Sequence, residues 1–221
     1  MVLLGITGGS LYFVTENMAV KVGYVNNVSF IVCTAPLLTM ILALMFVGEV
    51  KATRWLISGS IAAVIGVALV VFNGQIILKL DPLGDVLAFS AALCWAVYGL
   101  LLRKVRNYSS VFVTRKVFFY GLITVLPCYL VHPWNFPLQG FVNPAVWGNL
   151  LFLGFVASFA CFALWSWVSK KIGAIATSQY VYLNPISTVV ASAIILHERM
   201  TWMAILGSTM ILLGLYLANK K

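Results

Sequence analysis

Uninterrupted apolar runs dominate this chain, each about 20 residues long and separated by short polar breaks. A run of that length, coiled as a helix, crosses a hydrocarbon core of about 30 Å, and inside that core only helices and closed barrels satisfy their own backbone groups. The chain has 221 residues, of which 62% are hydrophobic and 9% charged. Its mean hydropathy is +1.04, well outside the range of a soluble domain. The expectation is an all-α, polytopic membrane helix bundle embedded in a lipid bilayer.

Eight spans are read: A 2–20, B 28–47, C 55–72, D 86–102, E 117–131, F 146–168, G 174–196 and H 202–218. Phe112 to Thr114 extend E if the helix runs beneath Arg115 and Lys116. An even number of spans puts both ends on one side and divides the loops into two sets. One set carries Lys51, Arg54, Arg103, Lys104, Arg106, Arg115, Lys116, Lys170, Lys171, Lys220 and Lys221; the other carries Lys21, Lys79 and Arg199. Eleven against three places both termini in the cytoplasm, because Lys and Arg accumulate on that side. The net charge of +9 is thereby assigned to topology and not to nucleic acid. The E–F loop, HPWNFPLQGFVNPAVWGN, has no Lys or Arg and is placed outside.

The sequence repeats itself. KVGYVNNVSFIVCTAPLLTMILALMFVGE is echoed by KIGAIATSQYVYLNPISTVVASAIILHE. Lys21 and Gly23 match Lys171 and Gly173; Pro36, Thr39 and Glu49 match Pro185, Thr188 and Glu198; Gly59 and Gly66 match Gly207 and Gly214. A, B and C therefore correspond to F, G and H, five crossings later, and an odd number of crossings reverses orientation. Inverted repeats with a central site are a transporter architecture.

The marks AVKVGYVNN, TAPLLTMILALMFVGE and GSIAAVIG, then VSKKIGAIATS, LNPISTVVASAIILHE and GSTMILLG, resemble the EamA family of the drug/metabolite transporter superfamily. The resemblance covers essentially the whole chain. It implies five-plus-five helices, export or exchange of a small metabolite such as an amino acid or related amphipathic solute, and a bacterial cytoplasmic membrane. Here the first repeat, 1–73, has three helices and the second, 85–218, has five, with no counterparts of D and E before A. The competing reading is a non-transporting assembly partner or an inactive shortened form.

Candidate site residues follow from helix faces. In A, at about 100° per residue, Gly5, Gly9, Tyr12 and Glu16 share one side. Small residues allow close approach, so this face is expected to point into the bundle. Asn17 and Lys21 lie away from it. An unpaired carboxylate at that depth is costly, which favours a protonated carboxyl, a polar cavity or a cationic ligand, and hence proton coupling or recognition of an amine. A carboxyl hydrogen-bonded to a neighbouring helix, or lying near the interface, is the structural alternative. Its repeat mate is Ser166, so the shared scaffold does not require an acid.

Pro36 and Pro185 are expected to kink B and G at matching positions. Around the second, Ser178, Gln179, Tyr182 and Asn184 offer polar groups. Trp95, Tyr98 and Trp165 could wall a cavity or simply pack. Asn27 and Thr34 share a face of B, although Asn27 falls close to the outer loop. Gly59, Ala63, Gly66, Gly207 and Gly214 read as helix-packing stripes. Glu49 and Glu198 read as turn residues that cap or pair, and the basic cluster at 103–116 as a topology signal that also meets anionic lipid.

Nothing in the sequence supports catalysis. Asp81 and Asp85 are expected in a loop, His132 and His197 are isolated, and Cys33, Cys94, Cys128 and Cys161 are single and apolar in context. No cofactor, no metal and no nucleic-acid partner are expected. A small-molecule substrate, the bilayer and a coupling proton or ion are.

Overall fold

The computed structural model describes residues 1–47, 53–73, 81–131, 138–195, 197 and 200–220. Glu49, Glu198, Lys51, Lys79, Arg199, Lys221, His132 and the start of the E–F loop lie outside them. Among the described residues every regular element is helical, and the chain is an all-α membrane helix bundle. Eight helical segments follow in order: α1 (2–22), α2 (25–46), α3 (54–72), α4 (82–101), α5 (110–131), α6 (144–172), α7 (174–195) and α8 (202–218). Among the described residues five helical stretches are long and apolar enough to cross a bilayer: Val25–Phe46, Arg54–Phe72, Pro82–Val105, Ser110–Cys128 and Pro144–Ile172.

Several starts are set by local chemistry. Thr53 and Thr201 cap α3 and α8 in the same way, each side-chain oxygen accepting from the backbone N–H three residues on, at 3.2 Å. Asp81 and Asp85 differ from the loop expectation. Asp81 Oδ1 accepts from the Gly84 N–H at 3.1 Å, Pro82 occupies the first turn, and Asp85 lies in that turn. An acidic cap followed by proline is a strong helix start, and both carboxylates suit the positive end of the helix dipole. This moves the start of α4 four residues earlier than the apolar run alone indicates.

Two segments are wound irregularly. α1 contains the π-helical stretch Ile6–Leu11 and α6 the π-helical stretch Phe152–Ala160. α2 and α7 are both broken before their proline. α2 stops at Val32, turns through Cys33 and Thr34, and restarts as Ala35–Phe46; α7 passes through the 3₁₀ turn Tyr180–Tyr182 and restarts as Leu183–Ile195. Each proline sits in the first turn of the restarted helix, where its missing N–H costs no intrahelical bond.

Packing is governed by glycine. A Cβ at Gly59 would lie 2.5 Å from the Gly214 carbonyl oxygen and one at Gly66 2.6 Å from that of Gly207, so α3 and α8 cross antiparallel at backbone contact. α1 runs antiparallel to α4, with Gly23 on Gly84 at one end and Gly8 on the Tyr98 ring near the other. α5 covers the opposite side of α1, where Gly9 touches Gly121 and Ser10 and Thr124 share a 2.7 Å hydroxyl–hydroxyl hydrogen bond. α6 is packed far less: no described residue from 144 to 160 is buried.

Candidate functional site

Of the face read from the sequence of α1, Gly5 is buried and Gly9, Tyr12 and Glu16 are half-buried, while Leu4, Gly8, Ser10, Thr15 and Ala19 are the other buried residues of the helix. Gly5 and Gly9 lie against α5, and Tyr12 stacks its ring 5.0 Å from that of Trp95 on α4. One turn later Glu16 is half-buried, and its Oε1 accepts a 3.0 Å hydrogen bond from the Tyr12 hydroxyl. A phenol is neutral and holds a carboxylate by hydrogen bonding alone, so the Glu16 charge has no cation beside it on this helix.

Glu16 opens onto a cleft of about 390 Å³, a size that fits a small organic solute. Val20 of α1, six residues between Val25 and Cys33 in the first part of α2, Val70 and Val71 at the end of α3, and Asn184, Pro185, Thr188 and Val189 of α7 form the rest of its wall. The breaks in α2 and α7 make this shape possible. Cys33 lies at the first break, and Asn184 and Pro185 begin the helix after the second. Asn26, Ser29, Asn184 and Thr188 are the neutral polar groups; seven valines supply most of the apolar surface.

The remaining sequence candidates lie deeper. Trp95 is central to an aromatic cluster, with ring centroids 5.4 Å from Tyr98, 5.3 Å from Trp165 and 5.8 Å from Phe162. Tyr98 and Tyr182 are fully buried, the latter among Cys33, Ala63, Val67 and Ile211. Gln179 is also fully buried, its Oε1 accepting from Ser60 Oγ at 3.2 Å. Thus Glu16, Asn184 and Pro185 meet at the cleft and Tyr12 touches it through Glu16. Trp95, Tyr98, Trp165, Gln179 and Tyr182 stand outside its lining, and Pro36 is buried at the start of its helix.

Four of those deeper groups share a property. Tyr98 Oη, Trp165 Nε1, Gln179 Nε2 and Tyr182 Oη are all buried with no hydrogen-bond partner among the described residues. Each such group costs about 1–3 kcal/mol, and its persistence calls for a reason in function or conformational change.

The cleft also contains residues that the sequence reading did not select. Asn26, Ser29 and Cys33 are spaced by three and four, one helical face, and Thr188 is one turn beyond Asn184. That spacing is a signal legible in the sequence, whereas Asn27 is buried in α2 and absent from the cleft wall. Thr34 satisfies itself locally, donating to the Ile31 carbonyl at 2.6 Å.

At the other end of α2 and α3 lies a second cavity, of about 520 Å³, whose wall includes Arg103, Arg106, Lys170 and Lys171. The Lys170 ammonium also donates to the Tyr108 carbonyl. Among the described residues the bundle therefore has, at one end, a cleft lined by a single carboxylate and no cation and, at the other, a basic cavity. No group of three potential metal ligands occurs among the described residues.

Comparison with known proteins agrees with this architecture. The model of the EamA-like transporter family matches residues 82–220. An uncharacterized transporter of Bacillus subtilis is 29% identical over 99% of this chain and 72% of its own length. A Streptantibioticus cattleyicolor protein named "Probable terminal-alkyne amino-acid exporter" is 25% identical over 99% of this chain and 72% of its own. A solved crystal structure with 17% sequence identity superposes with a TM-score of 0.82, covering 99% of this chain and 75% of that one, which is a likeness of fold.

Proposed function

The chain belongs to the EamA-like transporter family, and on that premise we propose that it is a secondary transporter exporting a small amphipathic metabolite, of the kind of amino acids and related solutes, by alternating access. The carrying observation is the cleft itself. It joins α1, α2 and α3 to α7 at the two helix breaks and, among the described residues, presents one carboxylate to an otherwise neutral wall. Broken helices at matching positions of two repeats are where such transporters hold their solutes.

The inverted relationship of 1–73 and 85–218 is supported by the α3–α8 crossing. Gly59 meets Gly214 and Gly66 meets Gly207, whereas the repeat pairs Gly59 with Gly207 and Gly66 with Gly214. Such an exchange of partners is what a two-fold axis through the crossing produces. The matched threonine caps, proline breaks and π-helical stretches point the same way. Rocking of the halves about this seam would close the cleft at one end and open the basic cavity at the other. The unpartnered Gln179 and Tyr182 groups lie on α7 between its basic-cavity residues 174–176 and its cleft residues 184–189, and with Tyr98 and Trp165 they are the groups such a movement would offer to the solute.

Glu16 is the candidate proton carrier. The test is solute efflux from proteoliposomes with and without an imposed pH gradient. Stimulation by the gradient that disappears in Glu16→Gln supports coupling; normal transport with unchanged pH dependence in that variant sinks it. A second reading, an assembly partner that moves nothing itself, rests on the unburied stretch 144–160 of α6. It predicts a stable complex with another membrane chain and no flux in liposomes containing this chain alone.

A further inference from the structure

We infer that the cleft at Glu16 selects an apolar organic amine, or another monocation with a hydrocarbon body, over a zwitterion of the same side chain. This rests on the transporter reading only for the fate of the solute; the binding preference stands on the cleft. Glu16 is the one acidic residue in its described wall, and no Lys, Arg or His contributes to that wall. The Tyr12 hydroxyl occupies Oε1 and supplies no charge, so a ligand ammonium is the group that neutralises the carboxylate at closest range.

Beyond Glu16 the wall turns hydrocarbon. Val20, Val28, Val32, Val70 and Val71 surround the position that the body of such an amine would take. A ligand carboxylate placed there meets apolar surface and the like charge of Glu16, and a desolvated anion without a cation is disfavoured.

The restarted helix in α7 lacks two of the N–H groups that such a start would present. Helix starts hold carboxylates when their first N–H groups are free. Here the Leu183 N–H is already directed to the carbonyls of Tyr180 and Val181, and Pro185 has none to give. The neutral groups Asn26, Ser29, Asn184 and Thr188 can hydrogen-bond a solute without preferring an anion.

The experiment compares 3-methylbutylamine, leucine and 3-methylbutanol, which share a branched hydrocarbon end and differ in head group. Binding to the purified full chain in nanodiscs is measured by calorimetry, and counterflow of each compound in proteoliposomes. The amine is expected to bind at least tenfold more tightly than leucine or the alcohol, and Glu16→Gln to remove at least tenfold of that affinity. Ser29→Lys, which adds a cation to the cleft wall, is expected to shift preference toward leucine and covers the case in which the Glu16 variant does not fold. Leucine binding as tightly as the amine, undetectable amine binding, or a Ser29→Lys protein with unchanged selectivity would each overturn the inference. Leucine counterflow without amine binding defeats the inference and leaves the transport reading intact; amine binding without counterflow of any compound does the reverse.

Discussion

Ser60 Oγ donates to Gln179 Oε1 at 3.2 Å in a part of the bundle where both side chains are fully buried. The bond joins α3 to α7, and the repeat offset that pairs Gly59 with Gly207 pairs Ser60 with Ser208. It is a polar tie between the proposed halves, and Gln179 Nε2 remains without a partner among the described residues.

Removing one end of this tie should cost more than removing the amide. Ser60→Ala leaves the Gln179 carbonyl oxygen buried and unpaired, a loss of about 1–3 kcal/mol. Gln179→Leu removes the unpaired Nε2 together with the carbonyl at similar volume and leaves only the Ser60 hydroxyl without its acceptor, so it is expected to cost less than Ser60→Ala. Thermal unfolding of both variants in one detergent checks this ordering. Gln179→Leu should nevertheless reduce transport, and full activity in a stably folded Gln179→Leu protein would remove Gln179 from the solute path.

Tyr12 should matter through its hydroxyl. Tyr12→Phe keeps the ring on Trp95 and loses only the 3.0 Å bond to Glu16. A hydrogen bond of this type is worth about 1 kcal/mol or somewhat more when the acceptor is charged, so solute affinity should change about five- to tenfold. Stability should fall by no more than about 1 kcal/mol. A Tyr12→Ala protein should lose more stability, because it also empties the ring position; equal binding by wild type and Tyr12→Phe would separate Tyr12 from the site.

The helix periodicity of α1 made part of its inward side legible: Gly5, Gly9, Tyr12 and Glu16 needed only the angle per residue. The breaks at Pro36 and Pro185 were legible for the same reason, since proline has a fixed local effect. What could not be read was depth. Trp95, Tyr98 and Trp165 have the residue types of a binding wall, but Gly8 lets the Tyr98 ring settle onto the α1 backbone and draws the cluster away from the cleft. That outcome depends on which helices meet, which one sequence does not state. The π-helical stretches had no residue signal at all, whereas Asp81 and Pro82 did carry the start of α4 in a region where apolar length was the weaker guide.

The α3–α8 seam gives a stability prediction with an internal control. A methyl group at Gly66 would stand 2.6 Å from the Gly207 carbonyl oxygen and 2.8 Å from the Ile211 nitrogen, both backbone atoms. Gly66→Ala must therefore separate the helices, at a cost of about 1–3 kcal/mol. Gly99 on α4 has nothing within 4 Å of the same position. Gly99→Ala should be neutral or stabilising by up to about 1 kcal/mol through helix propensity. Denaturation midpoints that fall for Gly66→Ala and not for Gly99→Ala are the expected result; equal midpoints would mean that the seam yields without penalty.

The two cavities should be reachable from opposite sides of the membrane. The cleft is built at the start of α2 and the end of α3, the basic cavity at the end of α2 and the start of α3, so they face opposite ends of the bundle. If the eleven of 14 basic residues that share one set of loops are cytoplasmic, as the positive-inside rule predicts, the basic cavity is the inner one. In a background with the four native cysteines replaced, Asn26→Cys should react with a membrane-impermeant maleimide in intact cells. Arg106→Cys should react only after permeabilisation. A bound solute should slow labelling at position 26, because Asn26 is part of the cleft wall. The reverse sidedness would invert the topology and turn the proposed exit for solute into its entrance.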